Sequence, residues 1–348
     1  MRPRFSRNIV RLAVLLVGLA LIACSKHSEA VVSIALHPTN PNIIYVATND
    51  AVFKTRDGGQ SWEQFRNFSA RRVTTLAIDP QLPATIYAGT MGDALYKSPD
   101  GGQHWLPHNV GLKEHVSYVN QFVFHPTQTD MIYIATTVGA FYTKDGGREW
   151  KERMAGMKEV HIVITLAINP KNPRILYAGT TGGAYRSEDG AATWKKVNDG
   201  LIPAEILEAA MSLGVNMLMV DPVNTDVVYA GTTNGLFKTT NQADSWERIG
   251  RSLPDQFISS VVIHPSRTDV LYVGGRAGVL KSTDGGRTWQ AVNKGLATLN
   301  IRTIAMSLRD PQLLYAGTNG SGLYRSTDGG ENWTAVPLTV TASPPVPS

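Results

Sequence analysis

Between residues 31 and 336, short apolar runs recur in sets of four, separated by polar turns. In one set, Thr75-Leu76-Ala77-Ile78 ends at an Asp79-Pro80 turn. Ile86-Tyr87-Ala88-Gly89-Thr90 and Ala94-Leu95-Tyr96-Lys97-Ser98 follow, and a fourth run begins at Trp105. Runs of this length bounded by Gly, Pro and Asp read as strands A, B, C and D of an antiparallel meander. The unbroken apolar character of the A runs predicts sheets covered on both faces.

The set repeats along the chain. Trp62, Trp105, Trp150, Trp194, Trp246, Trp289 and Trp333 follow one another at 43, 45, 44, 52, 43 and 44 residues. Tyr45, Tyr87, Tyr133, Tyr177, Tyr229, Tyr272 and Tyr315 keep the same rhythm. This period falls in the range of propeller blades. The expected fold is all-β: a single seven-bladed β-propeller of four-stranded antiparallel blades over residues 31–336. Radial closure protects the sheet edges, which predicts a monomer. Each repeat runs from strand A to strand D, so the first and last blades are contiguous and closure is expected to rest on packing alone. The Pro- and Ser-rich tail, 337–348, is expected to be disordered.

The C–D turns read TRDGGQSW (55–62), SPDGGQHW (98–105), TKDGGREW (143–150), SEDGAATW (187–194), TTNQADSW (239–246), STDGGRTW (282–289) and STDGGENW (326–333). They resemble the Asp-box, or BNR repeat. Asp-Gly suits a tight turn because Gly accepts positive φ. The carboxylates of Asp57, Asp100, Asp145, Asp189, Asp284 and Asp328 are placed to accept backbone N–H groups. The Trp offers an apolar plate with one donor. One Asp per blade, spread around a ring, does not converge on a substrate, so these residues read as structural. Blade 5 departs, with Asn241-Gln242-Ala243 in place of Asp-Gly-Gly, and its turn is expected to be the weakest.

The first 23 residues carry Arg2, Arg4, Arg7 and Arg11 and end in the apolar run LAVLLVGLALIA, too short to span a bilayer comfortably. Leu21-Ile22-Ala23-Cys24 resembles the bacterial lipobox, and Cys24 is the chain's one cysteine. The resemblance implies cleavage after residue 23 and lipidation of Cys24. With Ser25 rather than Asp next, it also implies sorting to the outer membrane. Residues 24–30 then form a lipidated linker, and the membrane is a partner through the acyl chains. Removing the four arginines lowers the net charge from +5 to +1, which leaves no footprint for nucleic acid.

In such a meander the A–B and C–D turns lie at one end and the B–C and D–A connections at the other. The first end is stereotyped and the second varies, so binding is expected on the second face and the channel mouth. Residues not explained by the repeat gather there: Arg71, Arg72, His115, Tyr118, His161, Arg276 and Arg302 are the binding candidates. Arg66, His108, Asn120 and Asn216 lie on the same face. The longest connection, with Pro203 to Met211, suits a short helix over the channel or an insertion on the rim.

Asp-box propellers resemble one another across sialidases, xyloglucan-type glycosidases, the sortilin ectodomain and photosystem assembly factors, so the resemblance implies a fold and several functions. This chain lacks the sialidase Arg-Ile-Pro motif. Glycosidases need two carboxylates about 5–10 Å apart. The candidates Asp50, Asp93, Glu114, Glu159, Glu205, Glu208 and Asp255 stand in no recognisable motif. Gly-x-Ser-x-Gly, HExxH and P-loop patterns are missing. Glu114, His115 and His161 match no metal-ligand spacing. No metal or cofactor is expected. The reading is a non-catalytic, membrane-anchored scaffold of the cell envelope that binds a protein or polymer such as a glycan. A glycoside hydrolase and a structural envelope lipoprotein are the alternatives.

Overall fold

Seven four-stranded antiparallel sheets, each in the order A-B-C-D, arrange the chain as a seven-bladed propeller. The computed structural model describes residues 30–65, 68, 72–112, 116, 118–158, 160–201, 214–254 and 257–340. Strand A spans Val31–Leu36, Val73–Ile78, Val119–Phe124, Val163–Ile168, Val215–Val220, Ile258–Ile263 and Ile301–Met306 in blades 1 to 7. Blade 1 continues with B (Ile44–Thr48), C (Val52–Thr55) and D (Glu63–Gln64). Strand D begins just after the Trp rather than at it, and is two or three residues long throughout. Cys24 and the 203–211 connection lie outside the described residues.

The core is divided into wedges between blades. Each of seven buried apolar clusters joins two neighbouring blades. Every residue of strand B is buried, between strands A and C and between neighbouring blades. Strand D is largely exposed and polar. Burying apolar area at each junction is the main favourable term, at roughly 25 cal/mol per Å².

The repeating tyrosines serve these junctions. Tyr45 Oη donates to the Gly101 carbonyl of the next blade at 3.1 Å, and Lys54 Nζ donates to the same oxygen at 2.7 Å. Tyr87 and Lys97 clamp the Gly146 carbonyl in the same way, at 3.0 and 2.8 Å. Burial, aided by the charge of Arg56, lowers Lys54 to about 8. The tryptophans add a second lock. Nε1 of Trp150, Trp194, Trp246 and Trp333 donates to His108, Arg153, Val197 and Val292 of the preceding blade. Gly111 makes this approach possible: it has φ +82°, and a Cβ there would lie 2.1 Å from the Trp150 carbonyl oxygen. Trp105 and Trp289 instead donate within their own turns, to Gly102 and Gly286.

The C–D turns share one hydrogen-bond pattern. Asp57 Oδ1 accepts from Thr55 Oγ1 and from the N–H of Gln60 and Ser61, while Thr55 Oγ1 accepts from Gly59 N. Blade 5 keeps the pattern despite its substitutions. Asn241 Oδ1 accepts from Thr239 Oγ1 at 2.7 Å and Ser245 N at 3.1 Å. Gln242 and Ala243 adopt φ of +57° and +72° without being glycine.

Ring closure uses more than side-chain packing. Blades 1 and 7 are contiguous as expected, and Val31, Ile44, Phe53 and Trp62 meet Leu313, Tyr315 and Leu323 across the seam. Beyond strand D of blade 7, however, Leu338 packs on this cluster and Val340 forms a parallel bridge with Trp62. The expectation of a wholly disordered tail is therefore corrected for residues 337–340; residues 341–348 lie outside the described set. The Leu338 side chain and the Val340 backbone continue the seam.

Candidate functional site

The channel mouth is built from seven β-bulges. The A–B register skips the second residue of every strand A: Val32, Thr74, Asn120, Ile164, Asn216, Ser259 and Arg302. A bulge re-aims the side chain it carries. Thr74, Asn120, Asn216 and Ser259 use theirs to donate to the first strand-A carbonyl of the next blade, at Val119, Val163, Ile258 and Ile301. Val32 and Ile164 have nothing to donate. Arg302 is exposed, and its guanidinium makes no hydrogen bond with the described residues.

On the side of blades 7, 1, 2 and 3 the mouth opens into a recess of about 680 Å³. Val32, Asn49, Asp50, Arg72, Val73, Thr74, Met91, Tyr118, Asn120 and Arg302 line it. A second hollow of about 380 Å³ shares Asp50, Arg72 and Val73 and extends outward beside Val52, Gln64, Phe65 and Phe68. It follows the junction of blades 1 and 2, where the Trp105 indole does not lock onto blade 1. Phe65 and Phe68 occupy that gap, with ring centroids 6.1 and 4.7 Å from Trp105.

Arg72 connects the two hollows. Its φ is +57°, a left-handed conformation costing a non-glycine residue roughly 1–2 kcal/mol. Such residues concentrate at functional sites. Its carbonyl accepts from Met91 N at 2.9 Å, and Nη1 reaches Met91 Sδ at 3.5 Å. Met91 in turn bridges Tyr118.

Three of the sequence candidates, Arg72, Tyr118 and Arg302, therefore meet in one recess, with Asn120 and Asp50 beside them. Arg276 stands apart, its guanidinium 4.8 Å above the Phe257 ring. His161 is exposed and lines neither hollow. Nδ1 of His108 lies 3.0 Å from the Gly147 carbonyl oxygen. Arg71, His115, Arg66, Glu114, Glu159, Glu205, Glu208 and Asp255 lie outside the described residues. Sequence reasoning missed Asn49, Thr74 and Met91 and the aromatic wall. Thr74 carried a usable signal, because it holds the register position of Asn120 and Arg302. Phe65 holds the place of Val197, Ile249, Val292 and Val336, three residues after the Trp, and differs from them only in carrying a ring.

The opposite mouth differs in chemistry. Its hollow, about 470 Å³, is lined by Leu36, Pro38, Ile78, Met219, Val262, Met306, Leu308 and other apolar residues from the ends of strands A and the A–B turns. Leu308 is 67% exposed. His37 is the one titratable lining residue, and burial followed by the Lys54 charge lowers its pKa. Among the described residues no three His, Cys, Asp or Glu side chains gather to hold a metal. Asp50 is the single carboxylate among the residues lining the polar recess.

Four-stranded blades, wedge-shaped cores and a bulge-lined channel define the chain as a seven-bladed β-propeller. Its sequence matches two families, each over less than half its length. Residues 50–178 and, overlapping them, 93–202 match the Sortilin, neurotensin receptor 3 family. Residues 167–335 match the DUF6242 beta propeller domain. No curated protein matches the sequence.

Among solved structures, YCF48 bound to a D1 peptide superposes with a TM-score of 0.63 at 18% identity, over 86% of this chain and 94% of that one. The extracellular domain of a putative one-component system from B. thetaiotaomicron gives 0.67 at 15% identity, over 86% of this chain and 38% of that one. An ancestral GH74 enzyme gives 0.59 at 19%, over 76% and 37%. The chain thus spans little more than a third of the last two. At these identities the likeness is one of fold.

Proposed function

We propose that this propeller is a non-catalytic scaffold of the cell envelope, anchored through a lipid on Cys24, that holds a polypeptide partner in the polar recess. The observation carrying this reading is Arg302: a cation at a position where four other blades spend a neutral donor on the fold, left free in a concave site beside Arg72. A strained, exposed Arg72 and an aromatic-lined branch fit an extended chain with acidic or carboxylate groups. YCF48, similar in fold over nearly its whole length, has been solved with a D1 peptide, which supports a polypeptide over a glycan. A glycosidase needs two converging carboxylates, and the described lining supplies Asp50 alone. The Cys24 anchor rests on the lipobox resemblance, and Ser25 after it favours the outer membrane.

The test is affinity purification of the lipidated protein from its native membranes. Wild type is compared with an Arg72→Ala/Arg302→Ala variant and with Leu308→Ala at the opposite mouth. A partner kept by wild type and Leu308→Ala but lost by the double arginine variant is the expected result. A partner lost only with Leu308→Ala moves the site to the apolar mouth.

A further inference from the structure

Strand A of blade 1 sets the direction in which the chain leaves the propeller. Val31 pairs with Thr48, the last residue of strand B, and Leu36 pairs with Ile44 at the A–B turn. The strand therefore enters at the B–C/D–A face, and Val32 lines the polar recess there. Ala30, just before it, is buried. Whatever lies N-terminal to Ala30 departs from the centre of this face, beside Arg72 and Arg302.

Residues 25–29 join Cys24 to Ala30. A chain of that length spans about 20 Å even when fully extended. Reaching the other face takes longer. Four strands at about 4.8 Å spacing put the outer edge of a blade about 15 Å from strand A, before the channel is counted. A six-residue strand A adds about 20 Å of thickness. A path from the centre of one face, over the rim, to the opposite face exceeds about 35 Å, more than the linker supplies.

We infer that the polar recess is turned toward the bilayer that holds the lipid on Cys24, and that the apolar A–B mouth is turned away from it. This rests on the lipid-anchor reading above and adds an orientation that the anchor alone does not give. It runs against what polarity alone would assign, since the apolar mouth with Leu308 is the more lipid-like surface. Tether length decides between them, because the polar mouth is the one the anchor can reach. The partner that enters the recess must then approach along the membrane surface, as an extramembrane segment of a membrane-bound protein does.

The experiment uses the lipidated full-length protein in phosphatidylethanolamine/phosphatidylglycerol vesicles. Cys24 is the chain's one cysteine, and lipidation consumes it, so an introduced cysteine is labelled uniquely. A donor fluorophore is placed at Asn49→Cys or Asn319→Cys on the recess face, and at Leu308→Cys or Leu82→Cys on the opposite face. All four positions are exposed. Energy transfer to an acceptor carried on lipid headgroups is read on the outer leaflet. The expected result is several-fold stronger transfer from both recess-face positions than from both positions on the opposite face. Equal or reversed transfer in protein that floats with the vesicles overturns the orientation and leaves the anchor standing. Protein that carries no lipid at Cys24 and fails to float overturns both.

Discussion

Asn120 and Arg302 hold the same bulged position in their blades, yet Asn120 Nδ2 donates to Val163 O at 2.8 Å while the Arg302 guanidinium makes no bond among the described residues. The pair separates what the fold needs from what it leaves available. Asn120→Ala is expected to destabilise the propeller by about 1 kcal/mol, the net worth of one hydrogen bond. Arg302→Ala is expected to stay within about 0.5 kcal/mol of wild type, as surface changes do, while weakening the partner complex. Urea denaturation of both variants beside partner binding checks this. An Arg302→Ala variant as unstable as Asn120→Ala would return Arg302 to the scaffold.

The C–D turns make stability depend on acid. Hydrogen bonds from Asn332 and Ser326 hold Asp328 down to about 2. Asp100 also sits at about 2: burial opposes the shift, and hydrogen bonds from His104 and Ser98 outweigh it. Asp57 and Asp284 are lowered further, chiefly by the hydroxyls of Ser61 and Thr288. A carboxylate lowered on folding binds fewer protons folded than unfolded. Its contribution is complete above the ordinary value of 3.8 and is lost as pH falls through the folded value. The urea midpoint is therefore expected to fall steeply from about pH 4 to 2, after a shallower decline below the ordinary histidine value of 6.5 from His37, His125 and His264, which burial keeps from protonating in the fold. Asp100→Asn should flatten that fall; an unchanged slope would separate acid sensitivity from these turns.

Blade 5 offers the reverse experiment. Asn241 reproduces the acceptor geometry of the other turns with a neutral amide and donates from Nδ2 to Ser245 Oγ at 3.0 Å. Asn241→Asp would let the Ser245 hydroxyl donate instead, as Thr288 does to Asp284. Bonds to a carboxylate are stronger than neutral ones. A gain of about 0.5–1 kcal/mol at pH 7 is expected, vanishing by about pH 2. Thermal unfolding at the two pH values checks it. No gain at pH 7 would mean that Asp226 and Asp244 nearby cancel the new charge.

What could be read from the sequence was what every blade repeats. The repeating Tyr and Trp recur once per blade, so seven copies disclosed blade number, strand order and the two faces. The recess was legible only in part. Its lining comes from four blades, and it is a shared bulge register, settled by A–B pairing, that brings Val32, Thr74, Asn120 and Arg302 together. Arg276 and Arg302 looked alike as unmatched arginines on one face. The first stacks on Phe257 and the second is free, a difference fixed by packing around a loop. In the tail, the Pro and Ser content masked Leu338 and Val340, whose partners in blade 1 lie almost the whole chain away.

That distant contact makes the tail a measurable part of closure. Trp62 and Val340 bridge in parallel, Leu338 covers the seam cluster, and Tyr315 Oη donates to the Gly58 carbonyl across the same seam at 3.4 Å. A chain ending at residue 336 loses the half-buried Leu338 and uncovers part of Trp62, which should cost about 1–3 kcal/mol. A chain ending at residue 340 should keep wild-type stability. Apart from that bridge the strands of blades 1 and 7 pair only within their own sheets, so the loss should show first as faster amide exchange at Ile44 and Leu314. Exchange at Leu176 and Val228, on the far side of the ring, should follow global unfolding. Equal stability of the two truncated chains would mean that the side-chain wedge closes the ring unaided. Faster exchange confined to the seam in the shorter chain would show that the ring opens at the one junction where the chain does not pass from blade to blade.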